Sequence, residues 1–246
     1  MNTSSPGTLY GIGVGPGDPE LIPLKAVRIL SRVDVIFAAA STKNDHSQAV
    51  NIARPHIPAT TKVRRLSFPM SKDPAVKQAA WQEHARTLIG ELSEGRQVAF
   101  LTLGDSMTYA TYGYIVKYVQ MLAPHIPIVT IPGITSYQAA AARVNMPLVE
   151  GEESLLLLSG VEGGHRLRQL SACAENVVFL KAYRNTADII QSLDEADMLA
   201  TSVCVANCGL QNEEIIHDIR ELAHRPPDYW TLIIAKKNNN HHETQK

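Results

Sequence analysis

Residues 9–39 read LYGIGVGPGDPELIPLKAVRILSRVDVIFAA. Leu9 to Val14 is an apolar run mixed with glycine, the pattern of a buried strand. It ends in Gly15-Pro16-Gly17-Asp18-Pro19, a cluster of residues that each favour a tight turn. Leu21, Leu24, Val27, Ile29 and Leu30 then recur at helical spacing. Asp18 stands near the start of that segment, where orphan backbone donors take an acceptor. Val33 to Ala39 is a second short apolar strand. Strand, tight loop, helix, strand is the opening of an α/β unit.

The alternation continues outward from there. Pro74 to Leu92 reads as a helix with Gly95 as its stop signal. Val98 to Leu103 reads as a strand that runs into Gly104-Asp105-Ser106. Tyr109 to Leu122 reads as a helix, and Ile126 to Ile131 as a strand ending at Pro132-Gly133. Thr135 to Arg143 is an alanine-rich helix closed by Asn145 and Pro147. Pro147, Gly151 and the glutamates of Asn145 to Glu153 interrupt the periodicity, so a domain boundary is expected there.

An N-terminal α/β domain is thus expected over residues 8–145 and a C-terminal α/β domain over 153–237. In the second, strands are expected at Leu155 to Leu158, Val177 to Leu180, Val203 to Ala206 and Trp230 to Ala235. Helices are expected at His165 to Ala172, Ala187 to Leu193 and Glu213 to Leu222. Pro226 and Pro227 form a stiff turn before the last strand, and the polar residues 238–246 read as a disordered tail. Strands rich in Val, Ile and Leu imply sheets covered on both faces.

Composition narrows the function. The chain has 246 residues, 23 Lys+Arg against 24 Asp+Glu and a formal charge of -1, which disfavours a protein that coats nucleic acid or an anionic membrane. Its 45% hydrophobic and 19% charged residues are the proportions of a folded domain. Three cysteines, Cys173, Cys204 and Cys208, cannot form a disulfide framework, so a reduced, cytoplasmic setting is expected. Met1 to Gly7 lacks a basic patch followed by an apolar run, so no signal peptide is expected. Cys204 and Cys208 lack the second ligand pair of a zinc site and read as buried thiols, so no protein metal site is expected.

The glycine loop at residues 11–17 has three readings on its spacing alone: a ligand-free turn, a dinucleotide loop, or a loop for another small ligand. The dinucleotide fold wants an acidic residue at the end of the second strand, and here that end is Phe37-Ala38-Ala39. Pro16 also removes a backbone donor that a pyrophosphate would use. No Gly-Lys-Ser/Thr follows, so this is not an ATP-binding P-loop. Three such loops, at 15–19, 104–106 and 132–136, each follow a predicted strand. In an open parallel sheet those ends gather at one edge, where ligands bind.

Three motifs taken together carry a family resemblance. They are Gly13-Val14-Gly15-Pro16-Gly17-Asp18-Pro19-Glu20-Leu21, Leu101-Thr102-Leu103-Gly104-Asp105-Ser106 and Pro132-Gly133-Ile134-Thr135-Ser136-Tyr137. With the closing Asp228-Tyr229-Trp230-Thr231-Leu232, the chain resembles the tetrapyrrole methylases over about residues 8 to 237. Thr108 to Tyr114, Ala139 to Glu150, Leu180 to Asn185 and Cys208 to Glu214 look most like the C20 methyltransferases of cobalamin synthesis. One departure is Ser106, where the family's motif has proline.

The resemblance implies two α/β domains with S-adenosylmethionine in a cleft between them, and a homodimer. It implies donor contacts from Pro16, Gly104, Asp105, Thr108, Thr135 and Ser136, and from Tyr183, Gly209, Leu210 and Thr231. The first loop, with Gly15, Gly17 and Asp18, would shape the tetrapyrrole trough. Arg64, Arg65 and Arg184 are candidates for the substrate carboxylates, since Arg meets a carboxylate with two parallel bonds. Asp105, Tyr109 and Tyr112 are candidates for aiding removal of the C20 proton. The implied reaction is methyl transfer to C20 of cobalt-factor II in anaerobic cobalamin synthesis, with cobalt arriving inside the substrate. Precorrin-2 of the aerobic route, another ring position, and a non-catalytic tetrapyrrole-binding homologue are the alternatives.

Overall fold

The computed structural model describes residues 5–40, 47–69, 71, 73–225 and 227–238. Residues 239–246 of the expected tail, and Pro226, lie outside the described residues. By its internal contacts the chain divides into two compact units, residues 1–135 and 136–246.

The first unit alternates strand and helix: β1 (Leu9–Gly13), α1 (Leu24–Leu30), β2 (Val35–Ala40), α2 (Gln48–Ala53), β3 (Lys62–Ser67), α3 (Pro74–Ser93), β4 (Val98–Thr102), α4 (Tyr112–Leu122) and β5 (Ile128–Ile131). Its sheet is parallel throughout, in the order β3-β2-β4-β1-β5. Along β4, Ala99 and Leu101 face one core while Val98 and Phe100 face the other. Helices α1 and α2 cover the first face and α3 and α4 the second. This is why these strands read as near-continuous apolar runs.

Two elements of this unit were not visible as such in the sequence. Edge strand β3 carries Lys62, Arg64 and Arg65, and only Leu66 is buried, so it shows no apolar run. Charge along an edge is what keeps it from pairing with another chain. Helix α2 is one of short alanine and valine steps, with Ala49, Val50, Ile52 and Ala53 buried. Helix α4 starts at Tyr112 and not at Tyr109, which has a left-handed φ of 51°. The residues in between belong to a loop described below.

The second unit opens with α5 (Ser136–Arg143) and continues with β6 (Leu155–Ser159), α6 (His165–Leu170), β7 (Asn176–Leu180), α7 (Thr186–Glu195), β8 (Val203–Ala206), β9 (Glu214–Ile216) and β10 (Thr231–Lys236). The sheet order is β6-β7-β10-β8-β9, with β6 and β7 parallel and the remaining pairs antiparallel. Leu167, Ile189 and Leu193 cover one face, and Ala140 and Ala141 of α5 cover the other. Helix α5 therefore groups with the second sheet, and the division falls after Thr135, ahead of the interruption at Asn145.

The helix expected over Glu213 to Leu222 is absent. Glu214–Ile216 instead pairs with β8 as an edge strand, Cys204 opposite Ile216. A short 3-10 turn, Ile219–Ala223, follows, its Arg220 amide met by the Asp218 side chain. Ile215 and Ile216 are β-branched, and packing against β8 overrides the helical spacing.

Candidate functional site

In the first sheet, β4, β1 and β5 are neighbours, so the three motif loops leave adjacent strand ends. The loops are clasped backbone to backbone. Gly15 N donates to Gly104 O at 3.2 Å, and Gly104 N donates to Gly15 O at 2.8 Å. Both glycines have left-handed backbones, φ 81° and 69°. A Cβ on Gly133 would sit 2.2 Å from Gly104 O and 2.7 Å from the Gly13 carbonyl carbon. The glycines thus let three loops pack on one another. Pro16 and Gly17 are buried beside them, and Asp18 caps the next turn by accepting from Glu20 N at 2.8 Å.

Asp105 ties the second loop to the third. Its carboxylate accepts from Met107 N at 2.8 Å, Thr108 Oγ1 at 3.2 Å and Gly133 N at 3.0 Å. Burial pushes its pKa up, but the amides of Met107 and Gly133, the Thr108 hydroxyl and the Ser106 amide outweigh this and hold it below the usual carboxylate range. Ser106 is fully buried, and its hydroxyl donates to Ile131 O at 3.3 Å. The residue that replaces the family's proline therefore links the second loop to the end of β5. Thr135 is buried at the end of the third loop, and Ser136 begins α5.

The two tyrosine candidates differ sharply. Tyr112 has no exposure, lies against Phe100 and packs its ring where a Cβ on Gly11 would fall. Its hydroxyl sits 3.0 Å from Thr130 Oγ1. Burial raises its pKa, with the Thr130 hydroxyl and Gly11 amide offsetting part of the rise. The Tyr112 geometry is that of a core residue. Tyr109, in contrast, is 53% exposed and holds a left-handed backbone. A bulky side chain in that conformation is strained unless its surroundings impose it.

The cationic candidates have different surroundings. Arg64 pairs with the buried Glu91 of α3 at 2.6 Å, and its guanidinium lies 6.0 Å from the Phe37 ring centroid. Arg96 also pairs with Glu91. Arg64 thus closes an ion network on the α3 side of the sheet. Arg65 is its neighbour on β3 and is exposed. Arg184, in the second unit, stacks 5.1 Å from the Tyr183 ring centroid.

In the second unit the register brings the remaining candidates to one sheet edge. Thr231 opens β10 opposite Ala206, the last residue of β8, and Thr231 O accepts from Ala182 N at 2.9 Å just past β7. Tyr183, Gly209 with Leu210, and Thr231 therefore leave three adjacent strands at the same end. Thr231 is buried, its hydroxyl donating to Asp228 O at 2.6 Å. Tyr183 lies 4.8 Å from Tyr229, which in turn meets Trp230 edge-on. Gly209 has φ 76°, and its amide donates to Glu213 Oε2 at 2.7 Å. Glu213 and Tyr229 stood inside the quoted motif stretches but were not singled out as partners of the candidates. Asn207-Cys208-Gly209 was a turn signal that could have found the first. Cys204 and Cys208 are buried thiols pushed up to about 12 and about 11, first by burial.

The motif loops of the first unit have groups that suit a cationic, amino-acid-bearing ligand. They offer backbone, small hydroxyls and one carboxylate that stays ionised. Thr102 Oγ1, at the end of β4, is buried and has no partner, a polar atom left for a ligand to meet.

The comparison with known proteins defines the class. Residues 8–223 match the tetrapyrrole (corrin/porphyrin) methylases, and the chain belongs to that family. It is an S-adenosylmethionine-dependent C-methyltransferase. The chain is similar to the cobalt-precorrin-2 C(20)-methyltransferase of Salmonella typhimurium, 34% identical over 94% of this chain and 97% of the relative. It is also similar to the precorrin-2 C(20)-methyltransferase of a Sinorhizobium species, 28% identical over 93% and 95%. Among solved structures, uroporphyrin-III C-methyltransferase of Thermus thermophilus, complexed with S-adenyl homocysteine, shares the fold with a TM-score of 0.68. It is 23% identical, over 94% of this chain and 92% of that one.

Proposed function

We propose that this methylase transfers the methyl group of S-adenosylmethionine to C20 of cobalt-factor II in anaerobic cobalamin synthesis, cobalt being part of the substrate. The 34% identity to the Salmonella enzyme over nearly the whole of both chains carries this reading. The lower 28% identity to the precorrin-2 enzyme favours the metallated ring over the metal-free one.

Pro16, Gly104, Asp105, Thr108 and Thr135 are the donor residues of the first unit in this reading. Ser136, Tyr183, Gly209, Leu210 and Thr231 are those of the second. The donor supplies an electrophilic methyl on a cationic sulfur. Asp105 keeps its negative charge at neutral pH, which complements a cation, and its lowered pKa makes it a weak proton acceptor. With Tyr112 buried, Tyr109 is the remaining candidate to meet the ring near the proton that leaves. The clasped glycine loops hold the edge rigid, and placement of donor and acceptor is the main catalytic contribution for so good a leaving group.

Gly15, Gly17 and Asp18 contribute the loop wall of the ring site, and Arg65 and Arg184 are the remaining cationic candidates for its carboxylates. We also propose a homodimer in the cytoplasm. Tyr114, Met121 and Leu122 of α4 are large and exposed, and the three cysteines are unpaired, which supports both statements.

The test is a paired anaerobic assay with cobalt-sirohydrochlorin and precorrin-2 at matched concentration. The proposal expects kcat/KM at least tenfold higher for the cobalt ring. A higher value for the metal-free ring moves the enzyme to the aerobic route. Turnover of neither, with donor binding intact, overturns the substrate assignment.

A further inference from the structure

The loop after β8 is over-determined by side chains that no part of the proposed chemistry uses. Asn207 is 3% exposed and left-handed at φ 51°. Its amide nitrogen donates to Asp228 Oδ2 at 2.5 Å and to Asn212 O at 3.4 Å. Leu210 N donates to Asn207 O at 2.9 Å, and Glu213 N donates to Leu210 O at 3.0 Å. Residues 207–213 are therefore two tight turns in succession.

Glu213 closes them. Its side chain is 12% exposed, one oxygen accepts the Gly209 amide at 2.7 Å, and the other accepts Arg143 Nε at 2.5 Å. Burial pushes its pKa up, but the Gly209 amide and Arg143 outweigh that and keep it ionised. Arg143 is in the last turn of α5, whose first residue, Ser136, comes from the third motif. One carboxylate thus ties the Gly209–Leu210 turn to the helix that starts at Ser136. The Gly209 amide is turned onto Glu213, so what this turn can offer a ligand is carbonyl and apolar surface.

We propose that Glu213 is a positioning residue for the methyl donor: it holds the Gly209–Leu210 turn in register with α5, and the donor's nucleoside end reads that shape. The inference rests on the donor contacts proposed above for Gly209 and Leu210. A bare fold-stabilising ion pair would need neither a turn amide as one partner nor a helix leading back to Ser136 as the other. The carboxylate also lies outside the donor's own contacts, since its oxygens are both engaged within the protein.

The test uses S-adenosylhomocysteine as the probe on the full chain. Hydrogen exchange of residues 207–214 in the unaltered protein comes first. Protection by the probe is expected. No protection means the donor does not reach this turn, which overturns the donor reading and the inference with it. Titration calorimetry then compares Glu213→Ala, Glu213→Gln and Arg143→Ala. Glu213→Ala is expected to weaken binding about tenfold or more and to raise donor KM while kcat stays within about twofold. Glu213→Gln keeps an oxygen for the Gly209 amide and is expected within about threefold of the unaltered protein. If Glu213→Ala does not fold, Arg143→Ala carries the test, with binding about threefold weaker and faster exchange at 207–214. Unaltered donor binding in these variants, with protection of the turn retained, overturns the positioning role and leaves the donor reading standing.

Discussion

Asp105 shows how one side chain can hold two loops together. Three donors from two loops converge on it, so its charge is fixed and its shape is shared. Asp105→Asn removes that charge and one acceptor. Loss of a charge-assisted bond costs about 1.5–3 kcal/mol, so binding of S-adenosylhomocysteine should weaken about tenfold or more, measured by calorimetry. Tyr112→Phe should behave in the opposite way. It loses the bond to Thr130 at a cost of about 1 kcal/mol of stability, and turnover of the folded enzyme should stay within about threefold. A much larger fall in kcat at unaltered donor KM would return Tyr112 to the catalytic set. The motif glycines and Asp105 were legible in sequence because turns need those residue types. Burial of Tyr112 was not, because helical spacing alone does not say which face of α4 meets Gly11.

At the scale of the element, the decisive feature is the order β4-β1-β5, which places three motif loops side by side. Strand and helix alternation was readable from apolar runs and glycine stops, and it yielded the α/β class. The order of strands was not, since register depends on partners far away in sequence. Gly133→Ala tests the clasp. Its Cβ would collide with the Gly104 carbonyl, a backbone atom that cannot swing aside. A loss of about 1–3 kcal/mol in denaturant unfolding is expected, with donor affinity falling too. Wild-type stability and affinity would show that the loops open easily. Edge strand β3 escaped the sequence because its charges hide its period, and Arg64 then looked available for substrate. Paired to Glu91 and stacked near Phe37, it should act on stability. Arg64→Ala should lower stability by about 1 kcal/mol, since the arginine is half exposed and Arg96 still pairs with Glu91, and should leave ring KM unaltered.

Across the whole molecule, several carboxylates have folded pKa values held down by partners. Glu91 is raised by burial but lowered further by Arg96 and Arg64, and Asp105 and Glu213 are held down by the bonds described above. A group depressed in the folded state binds protons more readily once unfolded. Its stabilisation is present above the unfolded carboxylate value near about 4 and is lost as pH falls through the lower folded value. Thermal midpoints should therefore be flat from about pH 7 to about pH 5 and fall steeply below about pH 4. Glu91→Gln should be less stable at neutral pH and flatten part of that acid limb. An acid limb unaltered in this variant would remove Glu91 from the account.

The central claim concerns where a methyl group goes. The most direct measurement is a single turnover under anaerobic conditions with cobalt-sirohydrochlorin and S-adenosylmethionine carrying a carbon-13 methyl. The product is demetallated and the labelled methyl located by NMR. The account predicts one labelled methyl, attached at C20. A label at any other ring carbon, or a ring recovered without one from protein that binds the donor, would contradict it.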